Sequence, residues 1–372
     1  MLYLIAGNGV PNYGDELIVM NWLNYYRKIG YQGDIIVDGK GAENTRKLLG
    51  SPSRVTFVAN NIPRHSDGLQ GSYDQFMNIG ISFARMNLAR FEDAQAFHFL
   101  GGGYASANWK NATRILGSVA ELGRILQVPV IATGIGIAPF STMVNADSRA
   151  WQHILSQFSM LECRDQNSFT HVIELTDAAS WAFSAGLDDA FLAPVETVPH
   201  DGRWLHLSGY SESSIFGQSG RALLDSISRS FDKVIFWICS KADRVLLNDL
   251  LNTHPYIEGV NLKELLNSGI PVMPEDFMLS ARFHPHLMAS RVGISGYYSA
   301  HSAFYANKHK LVEGLGSSFR RLNKNKIEIF DERSTVMQER DAGRIENKLN
   351  IADRISTMII RNKNSVSGKQ SL

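Results

Sequence analysis

The sequence predicts an α/β protein built from two parallel-sheet domains. The chain has 372 residues, of which 44% are hydrophobic and 20% are charged, so it can bury more than one core. Short apolar segments repeatedly run into a glycine-containing turn and then into an amphipathic segment, a pattern typical of parallel strands joined by crossover helices. A stretch that contains Pro194 and Pro199 separates two series of such units. We therefore expect two sheets joined by a linker.

The first series begins with the first residues of the chain. Residues 2–6 have the composition of a buried strand, residues 7–14 that of a turn, and residues 16–28 the spacing of a helix that Gly30 ends. Further strands are predicted at residues 34–37, 55–59, 96–100, 128–133 and 160–163. This alternation indicates a Rossmann-like domain over residues 1–190.

The second series follows the linker. Its predicted strands lie at residues 204–208 and 234–238 and in a stretch that ends near Arg282, and its predicted helices at residues 241–254 and 262–268. We expect a second Rossmann-like domain over residues 200–345 and a C-terminal helix with a disordered tail over residues 346–372, the disorder beginning after Asn362. The carboxyl ends of the two sheets are expected to face a central cleft, which is the GT-B-like arrangement.

Charge and cysteine content narrow the class of protein further. The 37 basic and 36 acidic side chains nearly cancel, so the chain has no global field that would recruit nucleic acid. Cys163 and Cys239 lie in apolar stretches, which indicates buried thiols in a reducing compartment. No run reaches the roughly 20 apolar residues of a transmembrane helix. We expect a cytoplasmic protein, with peripheral attachment to the inner face of the membrane left open.

A glycine-containing turn at residues 7–16 follows the first strand and opens the first helix. Its glycines allow backbone N–H groups to approach a ligand closely, which makes Asn12 and Gly14 candidate binding residues. In that case Asp15 is placed to accept a hydrogen bond from a ligand hydroxyl. The alternative is a tight turn in which Asp15 caps the helix.

Two more glycine loops and an arginine follow strands of the first series. Three glycines at residues 101–103 leave only backbone at a strand end, so Gly102 and Gly103 are candidate ligand contacts, as is the loop at residues 134–136. Close packing of a helix against the sheet explains these glycines equally well. Arg164 ends a strand next to an aspartate, which favours either an anion contact or a local ion pair.

The segment from Arg282 to Pro285 has the strongest chemical signal. In an extended strand Arg282 and His284 share one face, and Pro285 suits the first position of the helix that follows. A guanidinium and an imidazole would then lie beside a helix N-terminus, a position that favours an anion. The alternative is a histidine that caps the helix, with the arginine exposed at the rim. Downstream, Lys308 lies at the predicted start of another helix, where a positive charge opposes the helix dipole. Such a lysine either belongs to a solvated face or meets an anion.

Other catalytic signatures are missing from the sequence. The 11 histidines show no metal-ligand spacing, and Cys163 has no CxxC partner. There is no GxSxG elbow and no Walker A lysine. We therefore expect neither a metal site nor a cofactor.

In their order along the chain, these motifs resemble those of the polysaccharide pyruvyl transferase family. The resemblance covers roughly residues 1–320 and rests on segments that match the family's pattern one after another. These are Asn12-Tyr13-Gly14-Asp15-Glu16, Gly101-Gly102-Gly103, Gly134-Ile135-Gly136, Arg164-Asp165-Gln166-Asn167-Ser168, Asp188-Asp189-Ala190-Phe191-Leu192, Arg282-Phe283-His284 and Lys308. The long aromatic segment at residues 296–305 departs from that pattern and leaves the choice between Lys308 and Lys310 open.

The resemblance implies transfer of the enolpyruvyl unit of phosphoenolpyruvate to a sugar of a polysaccharide precursor, with the first domain on the acceptor side and the second on the donor side. It implies that Arg282 and His284 bind the donor, with Lys308 and Arg164 assisting. His284 is then the candidate acid, because a histidine ordinarily titrates close to neutral pH. Asp15 or Glu16 would orient or deprotonate the acceptor hydroxyl, and the acceptor sugar could be linked to a lipid.

Two other functions fit the same features. A nucleotide-sugar-dependent glycosyltransferase of GT-B fold would also place basic residues and helix N-termini against a diphosphate. A non-catalytic carbohydrate-binding relative would keep the fold and lose the chemistry.

Overall fold

The computed structural model describes residues 1–64, 73–103, 112–137, 148–176, 182–211, 213–322, 328–330 and 333–367. The chain divides into two compact units. Unit 1 comprises Met1–Gly9, Ile18–Leu192 and the C-terminal segment from Glu346, and unit 2 comprises Val10–Leu17 and Ala193–Ile345. The short segment Val10–Leu17 thus groups with unit 2, although its numbers fall within the predicted first domain.

Among its described residues, unit 1 contains a sheet of seven parallel strands in the order β3-β2-β1-β4-β5-β6-β7. The strands are β1 Leu2–Ile5, β2 Ile35–Gly39, β3 Val55–Ala59, β4 Ala96–Gly102, β5 Val130–Ile135, β6 Phe158–Cys163 and β7 Phe183–Ala185. The order reverses direction between β1 and β4, and such a switch point is where open α/β sheets bind ligands at their carboxyl edge.

Helices connect these strands, as the sequence predicts. They are α1 Tyr13–Lys28, α2 Ala42–Leu49, α3 Tyr73–Met86, α4 Ala112–Leu126, α5 Ser148–Leu155 and α6 Gln166–Thr176. Two 3₁₀ turns, Leu88–Arg90 and Asp189–Leu192, complete the described connections.

Side chains along the first strand of unit 1 point alternately into two apolar cores. Tyr3 and Ile5 of β1 pack in one core with α3 and α4, whereas Leu2 and Leu4 pack in the other with α1. Because successive strand side chains point to opposite faces, a strand buried on both sides reads as a continuous apolar run. This is why the sequence reveals the central strands clearly.

Unit 2 repeats the same topology. Its described residues form six parallel strands in the order β10-β9-β8-β11-β12-β13. They are β8 Trp204–Ser208, β9 Lys233–Ile238, β10 Ile257–Asn261, β11 Phe277–Ser280, β12 Ser295–Tyr298 and β13 Phe319–Arg321. The switch point lies between β8 and β11, so residues that follow these two strands are candidates for ligand contact.

The helices of unit 2 are α7 Gln218–Ser228, α8 Lys241–Leu251, α9 Leu262–Asn267, α10 Phe283–Val292, α11 Ala303–Gly314 and α12 Val336–Glu339. Helices α8 and α9 confirm two predicted helices. Four strands were not predicted from the sequence: β7, β10 and β13, which lie at sheet edges, and the short inner strand β12. Edge strands with exposed side chains carry no continuous apolar run, so a pattern search does not detect them.

The C-terminal helix α13, Asp341–Ser367, returns the chain to unit 1 from Glu346 onward. Ala352, Ile355 and Ile359 pack into the same core as α1. The prediction of disorder after Asn362 was wrong for the residues up to Ser367, which are helical, and residues 368–372 lie outside the described part of the chain. Tertiary packing of this apolar stripe stabilises the C-terminal helix that the sequence predicts.

A buried ion cluster fastens α13 to unit 1. Lys348 Nζ lies 2.5 Å from Glu162 Oε2 and 2.6 Å from Asp189 Oδ1, and it also donates to the Leu187 carbonyl at 2.8 Å. All three charged side chains are fully buried. Burial raises the pKa of Glu162, and the Lys348 ammonium opposes this rise. The lysine therefore neutralises charge that the core would otherwise not accept.

Asp189 connects the cluster to the carboxyl edge of the sheet. Its Oδ2 accepts hydrogen bonds from Trp22 Nε1 at 2.9 Å, from the Gly101 N–H at 2.9 Å and from Thr133 Oγ1 at 2.8 Å. These donors belong to α1, β4 and β5. One carboxylate thus holds three elements at the switch point of unit 1.

The two cysteines are buried free thiols, as the sequence predicts. Burial raises the pKa of both, to about 12 for Cys239, so they stay protonated. In the described part of the chain, none of the helices combines the length and the apolar character that crossing a bilayer requires.

We expect Lys348→Met to destabilise the protein by about 3–5 kcal/mol, because Glu162 and Asp189 would remain buried without a cation. Urea unfolding followed by circular dichroism measures the change. Lys47→Met is the matched control: Lys47 pairs with Glu43 on the surface, and its loss should change the midpoint little. Equal midpoint shifts for the two variants would contradict the assignment.

Candidate functional site

The candidate site in unit 2 is centred on the corner between β11 and α10, residues 280–286. The strand ends at Ser280, Arg282 is the extended N-cap residue, and the helix begins at Phe283. The prediction that Arg282 and His284 share one face of a strand was wrong, because His284 is already the second helical residue. The N–H groups of the first helical turn have no partner within the helix, so Pro285 fits its third position as well as its first.

Arg282 is held by α8. Its Nη2 donates to Ser240 Oγ at 2.8 Å and to the carboxylate of Asp243. Asp243 is fully buried, and burial raises its pKa while the Arg282 guanidinium opposes the rise. Among the described residues, the buried Nε of Arg282 makes no hydrogen bond. The guanidinium is therefore fixed in position, and the Arg282 side chain keeps 18% of its surface exposed.

The turn at residues 12–16 packs on the same edge of the unit 2 sheet. Asn12 forms an isolated antiparallel bridge with Ser240, and the Tyr13 N–H donates to the Cys239 carbonyl at 2.9 Å. The Asn12 side chain accepts from the Gly14 N–H at 3.2 Å, and its carbonyl accepts from the Glu16 N–H at 3.0 Å. Asn12 thus caps α1.

The alternative in which Asp15 caps α1 was therefore wrong. Asp15 is half-buried in the first turn of the helix, where its negative charge suits the positive end of the helix dipole. The adjacent Glu16 is fully buried. Of the two carboxylates, Asp15 is the one that solvent reaches.

Gly14 makes room for His284. A Cβ atom at Gly14 would lie 1.7 Å from His284 Nδ1, which no side chain tolerates. From the sequence, this glycine is predicted to allow a ligand to approach the backbone. In the structure, the neighbour is instead the imidazole of His284, in the segment Arg282-Phe283-His284. The two motifs are 270 residues apart in the chain and meet at one point of the fold.

Lys308 of α11 lies near three aromatic rings, one of which is Phe283 of α10. Its Nζ is 4.4 Å from the ring centre of Phe304, 5.4 Å from that of Tyr305 and 5.9 Å from that of Phe283. The prediction that Lys308 starts a helix was wrong: α11 begins at Ala303, so Lys308 is in its second turn. The preceding Ser302 supplies the cap that the sequence analysis overlooked.

Lys310 occupies a different environment from Lys308. Lys310 is exposed, whereas Lys308 is half-buried against aromatic rings. Aromatic faces attract an ammonium group and limit its motion. Lys308 therefore lies near Phe283, which stands between Arg282 and His284 in the sequence.

Two buried histidines connect the helices that carry these residues. His286 Nδ1 of α10 lies 2.9 Å from His309 Nδ1 of α11, and both rings stack on Tyr298. His286 Nε2 also lies 3.0 Å from Ser317 Oγ. Burial lowers the pKa of both histidines, for His309 to about 4, so both are neutral near pH 7. The pair fixes α10 relative to α11.

Arg164, Gly102 and Gly103 lie in unit 1. Arg164 is buried, with Nη1 3.5 Å from Asp188 Oδ2, and a Cβ at Gly136 would lie 2.5 Å from its Nη2. Gly102 ends β4, two residues beyond the predicted strand end, and its carbonyl accepts from the Gly136 N–H at 2.8 Å. Three of the sequence motifs thus pack against one another, and direct ligand contact by Arg164, Gly102 and Gly103 remains a prediction.

Sequence reasoning missed Asp243, Tyr210 and the Lys348 cluster. A signal for Asp243 was present, because Ser240 followed three residues later by an acid after a strand is a helix-start pattern. Tyr210 follows β8 at the switch point, which becomes apparent only from the strand order. Lys348 lies 159 residues from Asp189 in the sequence, and no local pattern connects them.

A cluster of His200, His206 and Asp276 at the amino edge of the unit 2 sheet has ligand atoms close enough together to hold a metal ion. However, Trp237 Nε1 donates to His206 Nδ1 at 3.1 Å, which places the ring proton on Nε2, where it donates to Asp276 at 3.0 Å. His206 therefore presents no lone pair to a metal in this arrangement. The cluster is better explained as a hydrogen-bonded brace.

Gly14→Ala should displace the His284 imidazole without disturbing the fold, because alanine suits a helix and the added methyl group meets a side chain. The His284 ring signals in a ¹H–¹⁵N spectrum measure the displacement. Gly343→Ala in α13 is the matched control, since a Cβ there meets no heavy atom within 4 Å. Unshifted His284 signals in Gly14→Ala would contradict the packing.

Stability should fall as the pH drops below about 6.5, because His286 and His309 stay neutral when folded but bind protons when unfolded. The unfolded state then holds more protons, so the free energy of unfolding decreases by up to ~1.4 kcal/mol per pH unit for each histidine. Urea titrations between pH 7.5 and 4.5 measure this slope. His309→Gln should flatten it, the surface variant His171→Gln should not, and the same slope in His309→Gln as in the wild type would refute the assignment.

The model of the polysaccharide pyruvyl transferase family matches residues 12–259, which is more than half of the chain. The match starts at Asn12 and ends in β10, so the corner residues and Lys308 lie beyond it. No curated protein sequence matches the chain significantly.

Solved structures similar to this chain include three UDP-N-acetylglucosamine 2-epimerases. The putative enzyme from Listeria monocytogenes has a TM-score of 0.55 at 10% identity, covering 93% of this chain and 88% of that one. The enzyme from Methanocaldococcus jannaschii has a TM-score of 0.53 at 12% identity, covering 94% of this chain and 92% of that one. The enzyme from Neisseria meningitidis, bound to UDP-GlcNAc, has a TM-score of 0.50 at 10% identity, covering 97% of this chain and 94% of that one. Such low identity shows the fold alone, and the predicted class of two GT-B-like parallel-sheet units is confirmed.

Proposed function

Because this chain belongs to the polysaccharide pyruvyl transferase family, we propose that it transfers the enolpyruvyl unit of phosphoenolpyruvate to a sugar of a cell-surface or secreted polysaccharide precursor. The observation that carries the proposal is the corner after β11. There the fixed guanidinium of Arg282, the imidazole of His284 and the N-terminus of α10 occur together, with Lys308 against Phe283.

The proposed donor suits this arrangement because it carries a phosphate and a carboxylate. The partly exposed guanidinium of Arg282 is proposed to bind one anionic group, and Lys308 to supply a point charge to the other. A small dianion therefore meets charge and hydrogen-bond donors from two helices of unit 2.

In the proposed reaction, His284 donates a proton to the methylene carbon of phosphoenolpyruvate, and an oxocarbenium-like centre develops at C2. A sugar hydroxyl attacks C2, forms a C–O bond and releases its proton. Inorganic phosphate then leaves with the bonding electron pair, and a second hydroxyl of the same sugar attacks C2 and loses its proton. The products are a cyclic pyruvate ketal and phosphate, so the reaction balances without a further cofactor.

Asp15 is proposed to orient or deprotonate the acceptor hydroxyl. It is half-buried in the turn that packs against His284, while Glu16 beside it is fully buried. The acceptor is proposed to be a precursor sugar carried on a lipid, which would place the reaction at the cytoplasmic face of a membrane. Catalysis would then rest on positioning and on stabilisation of charge.

Incubation with phosphoenolpyruvate and a panel of lipid-linked sugars tests this function. Phosphate release together with a mass gain of one pyruvyl ketal on an acceptor supports the proposal. Saturable binding of a nucleotide sugar by calorimetry, with none of phosphoenolpyruvate, would instead support a glycosyltransferase. Unchanged turnover in His284→Gln would remove the proposed acid and favour a non-catalytic corner.

Lys308→Met should weaken phosphoenolpyruvate binding roughly 10- to 100-fold, the range expected for loss of a charge-assisted hydrogen bond. Lys310→Met, two residues away and exposed, is the matched control and should bind as the wild type does. Isothermal calorimetry measures both dissociation constants. If both variants bound phosphoenolpyruvate equally weakly, the loss would reflect the overall positive charge of the region and not a contact with Lys308. If only Lys310→Met bound more weakly, Lys310 would be the lysine that contacts the donor.

A further inference from the structure

A partly exposed aromatic cluster lies at the switch point of unit 2. Tyr210 follows β8, and its hydroxyl lies 2.5 Å from His301 Nδ1. The His301 ring centre is 4.9 Å from that of Tyr210 and 4.5 Å from that of Tyr305. The two tyrosine rings are 6.0 Å apart. We call these three residues the aromatic platform.

The aromatic platform is not part of the apolar core. Tyr297 and Tyr298, in the same aromatic segment of the sequence, are buried in β12, whereas His301 is exposed and Tyr305 is half-buried. The segment therefore changes role after the strand ends. Its first half packs the sheet, and its second half presents rings and polar atoms to solvent.

The platform adjoins the cations at the corner. The Arg282 guanidinium carbon is 5.6 Å from the ring centre of Tyr210, and Lys308 Nζ is 5.4 Å from that of Tyr305. A ligand lying on the platform would thus be next to an anion held by these two cations. Tyr210 and Arg282 follow β8 and β11, the two strands that border the switch point.

We propose that the aromatic platform binds a pyranose ring of the acceptor. A sugar ring offers apolar C–H groups on one face and hydroxyls at its rim, which match aromatic faces flanked by a phenol and an imidazole. The bond between Tyr210 and His301 holds two of these rings in place before a ligand arrives. Calling the sugar the acceptor rests on the proposed function, whereas sugar binding itself does not.

The ring geometry favours a sugar over a nucleobase. The planes of Tyr210 and His301 meet at 81°, those of Tyr210 and Tyr305 at 52°, and those of His301 and Tyr305 at 40°. A flat base stacks best in a parallel slot, which these angles do not form. A puckered pyranose with C–H groups in several directions can contact rings that are inclined to one another.

Saturation-transfer NMR with methyl pyranosides of the gluco, galacto and manno configurations tests the proposal. At least one should bind the wild type, and Tyr305→Ala and His301→Ala should raise its dissociation constant roughly three- to tenfold. Tyr256→Ala is the matched control, because Tyr256 is 44% exposed and precedes β10 at the opposite edge of the sheet. His301→Ala should leave phosphoenolpyruvate binding little changed.

Pyranoside binding that is the same in both platform variants as in the wild type would overturn the proposal. The proposal would also fail if uridine diphosphate displaced the pyranoside from the wild type but not from Tyr305→Ala. That result would favour a nucleobase as the ligand of the aromatic platform. If the wild type does not bind phosphoenolpyruvate but a pyranoside still depends on Tyr305 and His301, the platform is upheld as a sugar site and the proposed reaction fails. The two proposals can therefore fail separately.

Discussion

The buried carboxylate of Asp243 organises the candidate site of unit 2. It accepts hydrogen bonds from the N–H groups of Cys239 and Ser240 at 3.0 and 3.1 Å, and it pairs with Arg282. A carboxylate at this depth is tolerable only with such donors and a cation. Ser240 in turn bridges Asn12, which begins the turn against His284. The carboxylate of one side chain thus connects two sequence motifs, the turn at residues 12–16 and the corner that carries Arg282 and His284.

Unit 1 uses the same device at the same edge of its sheet. Asp189 accepts hydrogen bonds from elements that meet at the switch point, and Lys348 of the C-terminal helix balances its charge. Both sheets have the same strand order about their switch points. In each unit a buried carboxylate near the carboxyl ends of the strands draws together segments that are far apart in the chain. Buried polar networks of this kind make one arrangement of the backbone much more favourable than others.

The corner after β11 also explains why the local prediction was incomplete. Proline is common at the first position of a helix, so the pattern placed the helix start at Pro285. The helix begins two residues earlier, at Phe283, which places His284 on the helix. Pro285 fits the third position because the N–H groups of the first turn make no hydrogen bonds within the helix, so a proline there removes none. For Lys308, the helix starts at Ala303, within the aromatic segment at residues 296–305, and the Ser302 cap was not recognised in the sequence. Both errors concern where an element begins, which depends on cap geometry rather than on apolar spacing.

The fold class, the central strands, the buried cysteines and the family resemblance follow from the residues themselves. Apolar runs between glycine turns identify parallel strands that are buried on both faces, and this signal is local. The pairing of Gly14 with His284 or of Lys348 with Asp189 has no such signal. These contacts join residues that are 270 and 159 positions apart. They exist because the strand order brings carboxyl ends together and because each buried charge requires a partner.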